Sequence, residues 1–363
     1  MPGLRVEAGE GPLPVLVHNL GAGGNTPPFW LPEPRGIGWR HALFNAYFLG
    51  RGRSVSSLEA GGPSAWVDSG GFLFLEAPQR RLAGLHGHKG GGAPVEWSEE
   101  LVAEVLRRQE GFGAEVAFTL DHPLPPRSQV EPGCCPGELG ERLRRTAAAA
   151  GIAYQLRTRA SMRLLVVLQY NGLEALRRLL ALLSRELRER AGLRLDEADG
   201  FAVGGLVPHS GKWWLLARRL QEARRLLGWE PWLHLLGVAS PHNVALLYAA
   251  GADSMDSKTY IIAAAKRLYY QPPGARPARL DLRAAEALPP SPLLGENPSP
   301  QELRRDTRLL ALHNAAVLLL AARTAGENHR EGRLMGYLRG LAEASPRLRR
   351  ALGEIATPRP PGG

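Results

Sequence analysis

Cysteine is scarce in this sequence. Only two cysteines occur among 363 residues, Cys134 and Cys135, and they are adjacent in a Pro- and Gly-rich stretch. Neighbouring cysteines rarely pair with each other, and they cannot supply the C-x-x-C spacing of a metal clamp. A disulfide framework is therefore excluded, which favours a reducing compartment.

Long apolar runs are also missing. Residues 1–10 contain no apolar core of a signal peptide, and no continuous apolar run approaches the roughly 18 residues of a membrane span. The 43 Gly and 30 Pro follow no triplet period, which excludes collagen-like order. Hydrophobic residues make up 44% and charged residues 22%, as in ordinary globular proteins. We therefore expect a cytoplasmic protein with no membrane contact.

Lysine is the rarest charged residue. Of the 45 Lys plus Arg residues only 4 are Lys, and with 35 acidic residues the formal net charge is +10. A positive surface favours a polyanionic partner, with nucleic acid the first candidate. The codon bias of a GC-rich genome explains the arginines equally well, because Ala, Gly and Pro are abundant too. The charge alone does not decide the partner.

Short apolar runs that end in Gly, Asp or Gln recur along the chain. Each is too short for a helix and is bounded by turn residues, so each predicts a buried strand. The predicted strands cover residues 65–68, 116–121, 164–169, 201–206 and 235–239. Arg-rich amphipathic stretches predict helices between and after them, at 99–109, 138–150, 173–191, 213–227 and 241–250.

This strand–helix alternation predicts an α/β protein with a parallel sheet, and its spacing fits a (β/α)8 TIM barrel with insertions and a C-terminal helical segment. A doubly wound sheet is the alternative. That fold would need a Gly-rich loop opening a helix near the start, which residues 21–24 do not supply. We expect an N-terminal extension (1–14), the barrel (15–325, with a Pro-rich excursion at 271–300) and a helical segment with a flexible tail (326–363). Further helices are predicted at 300–326 and 330–352.

Polar residues follow the predicted strands, where the active site of such a barrel lies. Each has an ordinary structural explanation as well: a helix cap, a turn, a satisfied core amide or a bulge glycine. Their joint placement at successive strand ends favours a site. The residues concerned are Asp68, Ser69, Asp121, Gln169, Gly204, Gly205 and Asp256.

Across residues 65–325 the chain resembles the tRNA-guanine transglycosylases and their DNA-modifying relatives, which exchange 7-deazaguanines. Tyr260, Lys266 and Tyr269 fit the archaeosine branch of that family. The segments that carry the resemblance are 68–72 (D-S-G-G-F), 120–126 (L-D-H-P-L-P-P), Gln169, 204–206 (G-G-L), 237–241 (G-V-A-S-P), 253–257 (D-S-M-D-S) and 310–314 (L-A-L-H-N).

The resemblance implies a base exchange in which Asp256 attacks C1′ of the target nucleotide and Asp68 acts as general acid and base. It implies that Ser69, Asp121 and Gln169 bind the base, together with Gly204, Gly205 and Leu206. The archaeosine-like segments suggest 7-cyano-7-deazaguanine as the incoming base. Candidate nucleic-acid contacts are Lys212, Trp213, Lys258, Tyr260, Lys266 and Arg267; packing of Trp213 on the barrel is an equal alternative.

The chain departs from the family pattern in two places. The family carries a zinc held by three cysteines and a histidine; His313 stands at the histidine position, but residues 288–302 contain no cysteine. We therefore expect no metal and no cofactor, with His313 a core or capping residue. Leu73 replaces a frequent Gln.

From these departures, and because the chain ends near residue 363 without the added RNA-binding domains of archaeal enzymes, we expect double-stranded DNA as the substrate. Transfer RNA is the alternative, and a non-catalytic nucleic-acid-binding subunit is a further one. The sequence leaves open a homodimer and accessory DNA-modification proteins.

Overall fold

Eight parallel strands form a closed barrel in the computed structural model, which describes residues 15–21, 37, 39–47, 49, 64–74, 96–134, 136–295 and 298–360. Each strand pairs with the next along the chain, and β1 pairs with β8 to close the barrel. The strands are β1 (Val15–Gly21), β2 (His41–Asn45), β3 (Ser64–Asp68), β4 (Val116–Phe118), β5 (Arg163–Leu168), β6 (Phe201–Val203), β7 (Leu233–Leu235) and β8 (Ser254–Ser257). The predicted fold class is confirmed.

Helices cover the barrel from β3 onward and then continue into the C-terminal segment. They are α1 (Glu99–Phe112), α2 (Pro136–Leu156), α3 (Leu173–Ala191), α4 (Trp213–Leu227), α5 (Val244–Ala250), α6 (Thr259–Ala265), α7 (Pro300–Arg305), α8 (Thr307–Arg330), α9 (Leu334–Glu343) and α10 (Pro346–Leu352). Local sequence sets their ends: the Ser98 hydroxyl accepts the Leu101 N–H at the start of α1, and Gly113 ends that helix with φ +85°.

Apolar side chains alternate between the two faces of the barrel strands. In β5, Leu165 and Val167 point into the barrel, where they pack with Trp66 and Phe118, whereas Val166 faces the helices outside. Every residue of β5 after Arg163 is buried. Such burial on both faces explains why this strand is a continuous apolar run that the sequence reveals.

One predicted strand is misplaced and three strands were not predicted. The strand expected at 235–239 lies at Leu233–Leu235, because His234 interrupts the apolar run although its side chain is fully buried. Gly237 has φ +77°, which ends the extended conformation. The sequence analysis predicts no strand at the positions of β1 and β2. It also predicts none at β8, because that segment is mostly polar, although it does place Asp256 among the residues at strand ends.

The helix predicted at 300–326 is divided. Asp306 ends α7 and caps α8, with its carboxylate accepting the N–H groups of Arg308 and Leu309. α8 then runs through the expected boundary at residue 325. It is long and apolar enough to cross a membrane by length and composition, but 67% of its most apolar window is buried inside the protein, as in a core helix.

An antiparallel hairpin pairs β9 (Leu268–Tyr270), just before the Pro-rich excursion, with β10 (Arg279–Asp281) inside it. Asn314 of α8 forms two hydrogen bonds with the β9 strand of this hairpin. Its Oδ1 accepts the Tyr270 N–H over 2.8 Å, and its Nδ2 donates to the Leu268 carbonyl over 3.0 Å. The L-A-L-H-N segment therefore has a clear packing role beside the barrel.

The described part of the tail, which the sequence predicts to be flexible, makes specific contacts with the barrel. Arg359 donates to Asp253 Oδ1 over 2.7 Å and to the Ala252 carbonyl over 3.0 Å, and its guanidinium lies 4.3 Å from the Tyr248 ring centroid. Its side chain is only 5% exposed. The tail is thus fastened to the start of β8, where Arg224 also pairs with Asp253. The expected extension at 1–14 lies outside the described residues.

We expect Arg359→Ala to lower the free energy of unfolding by about 1–3 kcal/mol, since it removes a nearly buried charged donor from Asp253 and two carbonyls. Chemical denaturation measures the change. Arg333→Ala is the matched control, because Arg333 pairs with Glu331 at an exposed site and should leave the stability unchanged. Equal stability of the Arg359 variant and the wild type would show that the tail is not docked.

Candidate active site

Three carboxylates meet at the mouth of the barrel, where the carboxyl ends of the strands lie. Asp68 ends β3, Asp121 lies three residues beyond β4, and Asp256 is the third residue of β8. Asp121 and Asp256 are 7% and 1% exposed, and Asp68 is partly exposed. The three are close enough for the charges of Asp121 and Asp256 to act on Asp68. The structure therefore brings the carboxylates of the sequence prediction into one site.

The Asp68 carboxyl group has an unusual proton affinity. Desolvation by the surrounding protein, and then the negative charges of Asp121 and Asp256, raise the pKa of Asp68 to about 7. Asn45 Nδ2 donates to Asp68 Oδ2 over 2.8 Å, and this hydrogen bond lowers the pKa without offsetting the other effects. A carboxyl group with such a pKa can give and take a proton at neutral pH.

Asn45 is a site residue that the sequence analysis missed. It ends β2 and is the register partner of Asp68 on β3. Its Oδ1 accepts the Tyr47 backbone N–H over 3.0 Å, which directs its Nδ2 toward the Asp68 carboxylate. In the sequence, Asn45 is an amide at the end of the short apolar run H-A-L-F-N, which could have indicated a strand end. The sequence analysis does not predict a strand there.

Asp121 and Gln169 form a hydrogen-bonded pair. Gln169, the residue after β5, donates from Nε2 to Asp121 Oδ2 over 2.6 Å, and the Ser69 hydroxyl lies 3.4 Å from Oδ1. Burial raises the pKa of Asp121 to about 6 against the lowering effect of these hydrogen bonds. A carboxylate beside an amide offers acceptors and a donor to the edge of one planar heterocycle.

Glycine is required at three positions around this pair, because the backbone there lies very close to the Asp121 and Gln169 side chains. A Cβ atom at Gly71 would lie 2.1 Å from Asp121 Oδ1, and one at Gly204 would lie 2.6 Å from Gln169 Nε2. Gly205 has φ +75° and a Cβ there would lie 2.6 Å from Gln169 Oε1. Any side chain at these positions would displace the polar pair. Leu206, the next residue, is fully buried.

Asp256 is held by groups from β7 and the turn after it. The Gly237 backbone N–H donates to Asp256 Oδ1 over 2.6 Å. His234 Nε2 lies 3.3 Å from the same oxygen, and the His234 ring is fully buried inside the barrel. Sequence reasoning missed His234; the signal was a lone histidine within the apolar run that leads to G-V-A-S-P.

The predicted nucleic-acid contacts do not all lie on the surface. Lys212, Lys258 and Lys266 are exposed and Arg267 is half-buried. Two aromatic residues of that set are buried, which for Trp213 agrees with the packing alternative. Trp213 is 9% exposed, with the Arg347 guanidinium 5.3 Å from its ring, and Tyr260 is fully buried with its ring 5.9 Å from that of Trp39. Packing on the barrel explains both.

His313 makes two hydrogen bonds within the protein. Its Nδ1 lies 2.7 Å from the Ser291 hydroxyl and its Nε2 lies 2.9 Å from the Tyr270 carbonyl, while its ring stacks on Tyr269 at 3.8 Å. Burial lowers the pKa of His313 to about 4. Among the described residues, no group of three or more His, Cys, Asp or Glu side chains could hold a metal ion. The residues present therefore do not fit the zinc that the family resemblance implies.

Comparisons with known proteins identify the family to which the chain belongs. The family model described as "Queuine tRNA-ribosyltransferase" matches residues 67–347. The chain is similar to proteins named tRNA-guanine(15) transglycosylase: 27% identical over 254 residues to that of Haloferax volcanii, 25% over 339 to that of Aeropyrum pernix, and 28% over 339 to that of Methanopyrus kandleri.

These matches cover 68%, 89% and 89% of this chain, and 45%, 59% and 66% of the respective relatives. The chain thus spans between about half and two thirds of the length of these relatives. Their names refer to tRNA and not to DNA, so the comparisons favour the tRNA alternative over the expected DNA substrate.

We expect the purified protein to contain only substoichiometric zinc and its melting temperature to be unchanged by a strong chelator, because both ring nitrogens of His313 already have partners. Elemental analysis and a thermal melt measure this. His313→Ala should lower the free energy of unfolding by about 1–3 kcal/mol through the lost hydrogen bonds. One tightly held zinc per chain would refute the expectation.

The raised pKa of Asp68 predicts a slope of stability with pH. Between pH about 4 and 7 the folded protein keeps a proton on Asp68 that the unfolded chain has lost, so this group makes stability fall as pH rises through that window. Asn cannot ionise, so the free energy of unfolding of Asp68→Asn minus that of the wild type should be more positive at about pH 8 than at about pH 5. Urea denaturation at both pH values measures it. An identical slope in both proteins would contradict the raised pKa.

Proposed function

Because the chain belongs to the queuine tRNA-ribosyltransferase family, we propose that it exchanges guanine in tRNA for a 7-deazaguanine through a covalent bond to Asp256. One observation carries the proposal. The Asp256 carboxylate is oriented by the Gly237 N–H at the same mouth as Asp68, whose pKa of about 7 suits proton transfer.

In the first step a carboxylate oxygen of Asp256 forms a bond to C1′ as the bond from C1′ to N9 of guanine breaks. The electron pair of that bond goes to N9, and the Asp68 carboxyl group supplies the proton that neutralises the leaving base. The transition state resembles an oxocarbenium ion, so the nearby carboxylates also stabilise its positive charge.

In the second step the incoming base loses its N9 proton to the Asp68 carboxylate. Its N9 then attacks C1′, and the ester to Asp256 breaks with its electron pair returning to the carboxylate. Asp68 ends with the proton that it gave in the first step, so the cycle balances without any cofactor or metal.

Recognition of the base is assigned to Asp121, Gln169 and the glycine turn. The Asp121 carboxylate accepts from the amino group and ring N–H of the base, while Gln169 and the N–H groups near Gly205 bind its carbonyl oxygen. Ser69 adds a hydroxyl contact. The target nucleotide must leave its stack before Asp256 can reach its sugar, and the exposed Lys212 and Lys258 lie after the strand ends, where they can contact the phosphates beside it.

Two finer assignments belong to the same proposal. The incoming base is 7-cyano-7-deazaguanine, supported by the archaeosine-like segments of the sequence. Transfer RNA is the substrate in place of the duplex DNA expected from the missing cysteines, because those relatives are named for tRNA. Duplex DNA is therefore offered as a second substrate in the experiment below.

The test is exchange of radiolabelled guanine out of tRNA and out of duplex DNA, each offered separately with 7-cyano-7-deazaguanine. We expect release from tRNA only. Asp256→Asn should slow exchange by at least about 1000-fold, since the nucleophile is lost, and should abolish the covalent adduct on a denaturing gel.

Asp196→Asn is the matched control, because Asp196 lies at an exposed site beside Arg194 and precedes β6, whereas the mouth lies at the carboxyl ends of the strands. It should retain full exchange. Release from DNA alone would refute the tRNA assignment, and full exchange by the Asp256 variant would refute the covalent mechanism.

A further inference from the structure

A chain of hydrogen bonds leads from the wall of the barrel to Asp256. Trp232 Nε1 donates to the Ser254 hydroxyl over 2.8 Å, and the same hydroxyl lies 2.8 Å from His234 Nδ1. His234 Nε2 lies 3.3 Å from Asp256 Oδ1. Ser254 and His234 are fully buried and Asp256 is 1% exposed. All four residues belong to β7, β8 or the residue before β7.

The donors and acceptors of this chain fix one arrangement of protons. Tryptophan is only a donor, so the Ser254 oxygen accepts from Trp232 and keeps its own hydrogen to give. Among the described residues, the only other hydrogen-bond partner of that hydroxyl is His234 Nδ1. The Ser254 O–H therefore donates to Nδ1, and the imidazole proton resides on Nε2, which faces the Asp256 carboxylate.

The surroundings hold the His234 ring in this position. Its ring centroid lies 5.5 Å from that of Trp66 and 5.0 Å from that of Phe118, both in the apolar interior of the barrel. Neither neighbour offers a competing hydrogen bond to the ring nitrogens. Aromatic packing thus sets the plane of the imidazole while Ser254 sets its tautomer.

We propose that His234 is a positioning residue for the nucleophile, and that Ser254 fixes the tautomer in which it donates to Asp256. This inference rests on the proposed function of Asp256. Together with the Gly237 N–H, His234 holds the carboxylate by Oδ1 and so sets the plane in which Oδ2 lies. The same two donors stabilise the negative charge that returns to the carboxylate when the glycosyl ester reopens.

The experiment compares His234→Phe with His234→Gln in single-turnover formation of the covalent adduct. Phe keeps an aromatic ring but has no donor, and we expect it to slow adduct formation about 10- to 100-fold, as for a lost hydrogen bond to a charged group. Gln places an N–H near the position of Nε2 and should stay within about threefold of wild type. The KM for the incoming base should stay within about twofold in both, because His234 does not face the base.

A second measurement does not depend on activity. The chain has ten histidines, so the ring signal of His234 is assigned by its absence from the Gln variant after labelling with ¹⁵N-histidine. In the wild type this signal should show a protonated Nε2 and a pyridine-like Nδ1. Ser254→Ala should shift that signal toward a mixture of tautomers and slow adduct formation severalfold. This measurement also covers the case in which the Phe variant fails to fold.

The outcomes separate the two proposals. If the wild type forms no adduct with tRNA or DNA, the proposed function fails, whatever the histidine signal shows. If the wild type forms an adduct, then an unchanged rate in the Phe variant, a slow Gln variant or a protonated Nδ1 in the wild type would each overturn the role of His234. A uniform loss of melting temperature without rate differences would mark a purely structural residue.

Discussion

The negative charge gathered at the barrel mouth is the constraint on which the site depends. Asp68, Asp121 and Asp256 lie at the ends of strands that the closed barrel forces together, in a space where much of the water is excluded. Such a cluster is unfavourable unless each carboxylate is hydrogen-bonded or protonated. The structure supplies a different donor for each one: Asn45, Gln169 and the Gly237 N–H.

The differences among these donors separate the three carboxylates chemically. Asp68 has one side-chain donor and feels both neighbouring charges, so it has the higher of the two raised pKa values and suits proton transfer. Asp121 is bound by an amide and a hydroxyl, which suits recognition of a polar edge. The Oδ1 atom of Asp256 is held by groups on β7 and the turn after it, which suits attack in a fixed direction. Different environments thus give identical side chains different roles.

The sequence was sufficient for features that depend on local pattern. Buried strands such as β5 are continuous apolar runs, and the polar residues after β3, β4 and β5 follow from the rule that barrel sites lie at strand ends. It was not sufficient where a polar residue is buried through distant partners. His234 interrupts an apolar run, and the predicted strand therefore starts two residues too late. β8 is polar because Ser254, Asp256 and Ser257 form hydrogen bonds with β7 and the residues beside it.

The same limit applies to three other side chains. Trp213 and Tyr260 are residue types that often contact nucleic acids, but their burial depends on helices that follow more than 50 residues later in the chain. The Pro-rich sequence around Arg359 predicts a flexible tail, and only the distant partners Asp253 and Tyr248 show that this side chain is held. Long-range pairing of single polar or aromatic side chains leaves no periodic signal in the sequence.

The central claim is that Asp256 becomes covalently attached to the sugar of its nucleic-acid substrate. It is tested most directly by trapping the complex with tRNA in denaturant, digesting both components and locating the modified residue by mass spectrometry. The account predicts a ribose-linked nucleotide on the peptide that contains Asp256 and on no other carboxylate. Attachment at Asp68 or Asp121, or exchange without any covalent adduct, would contradict it.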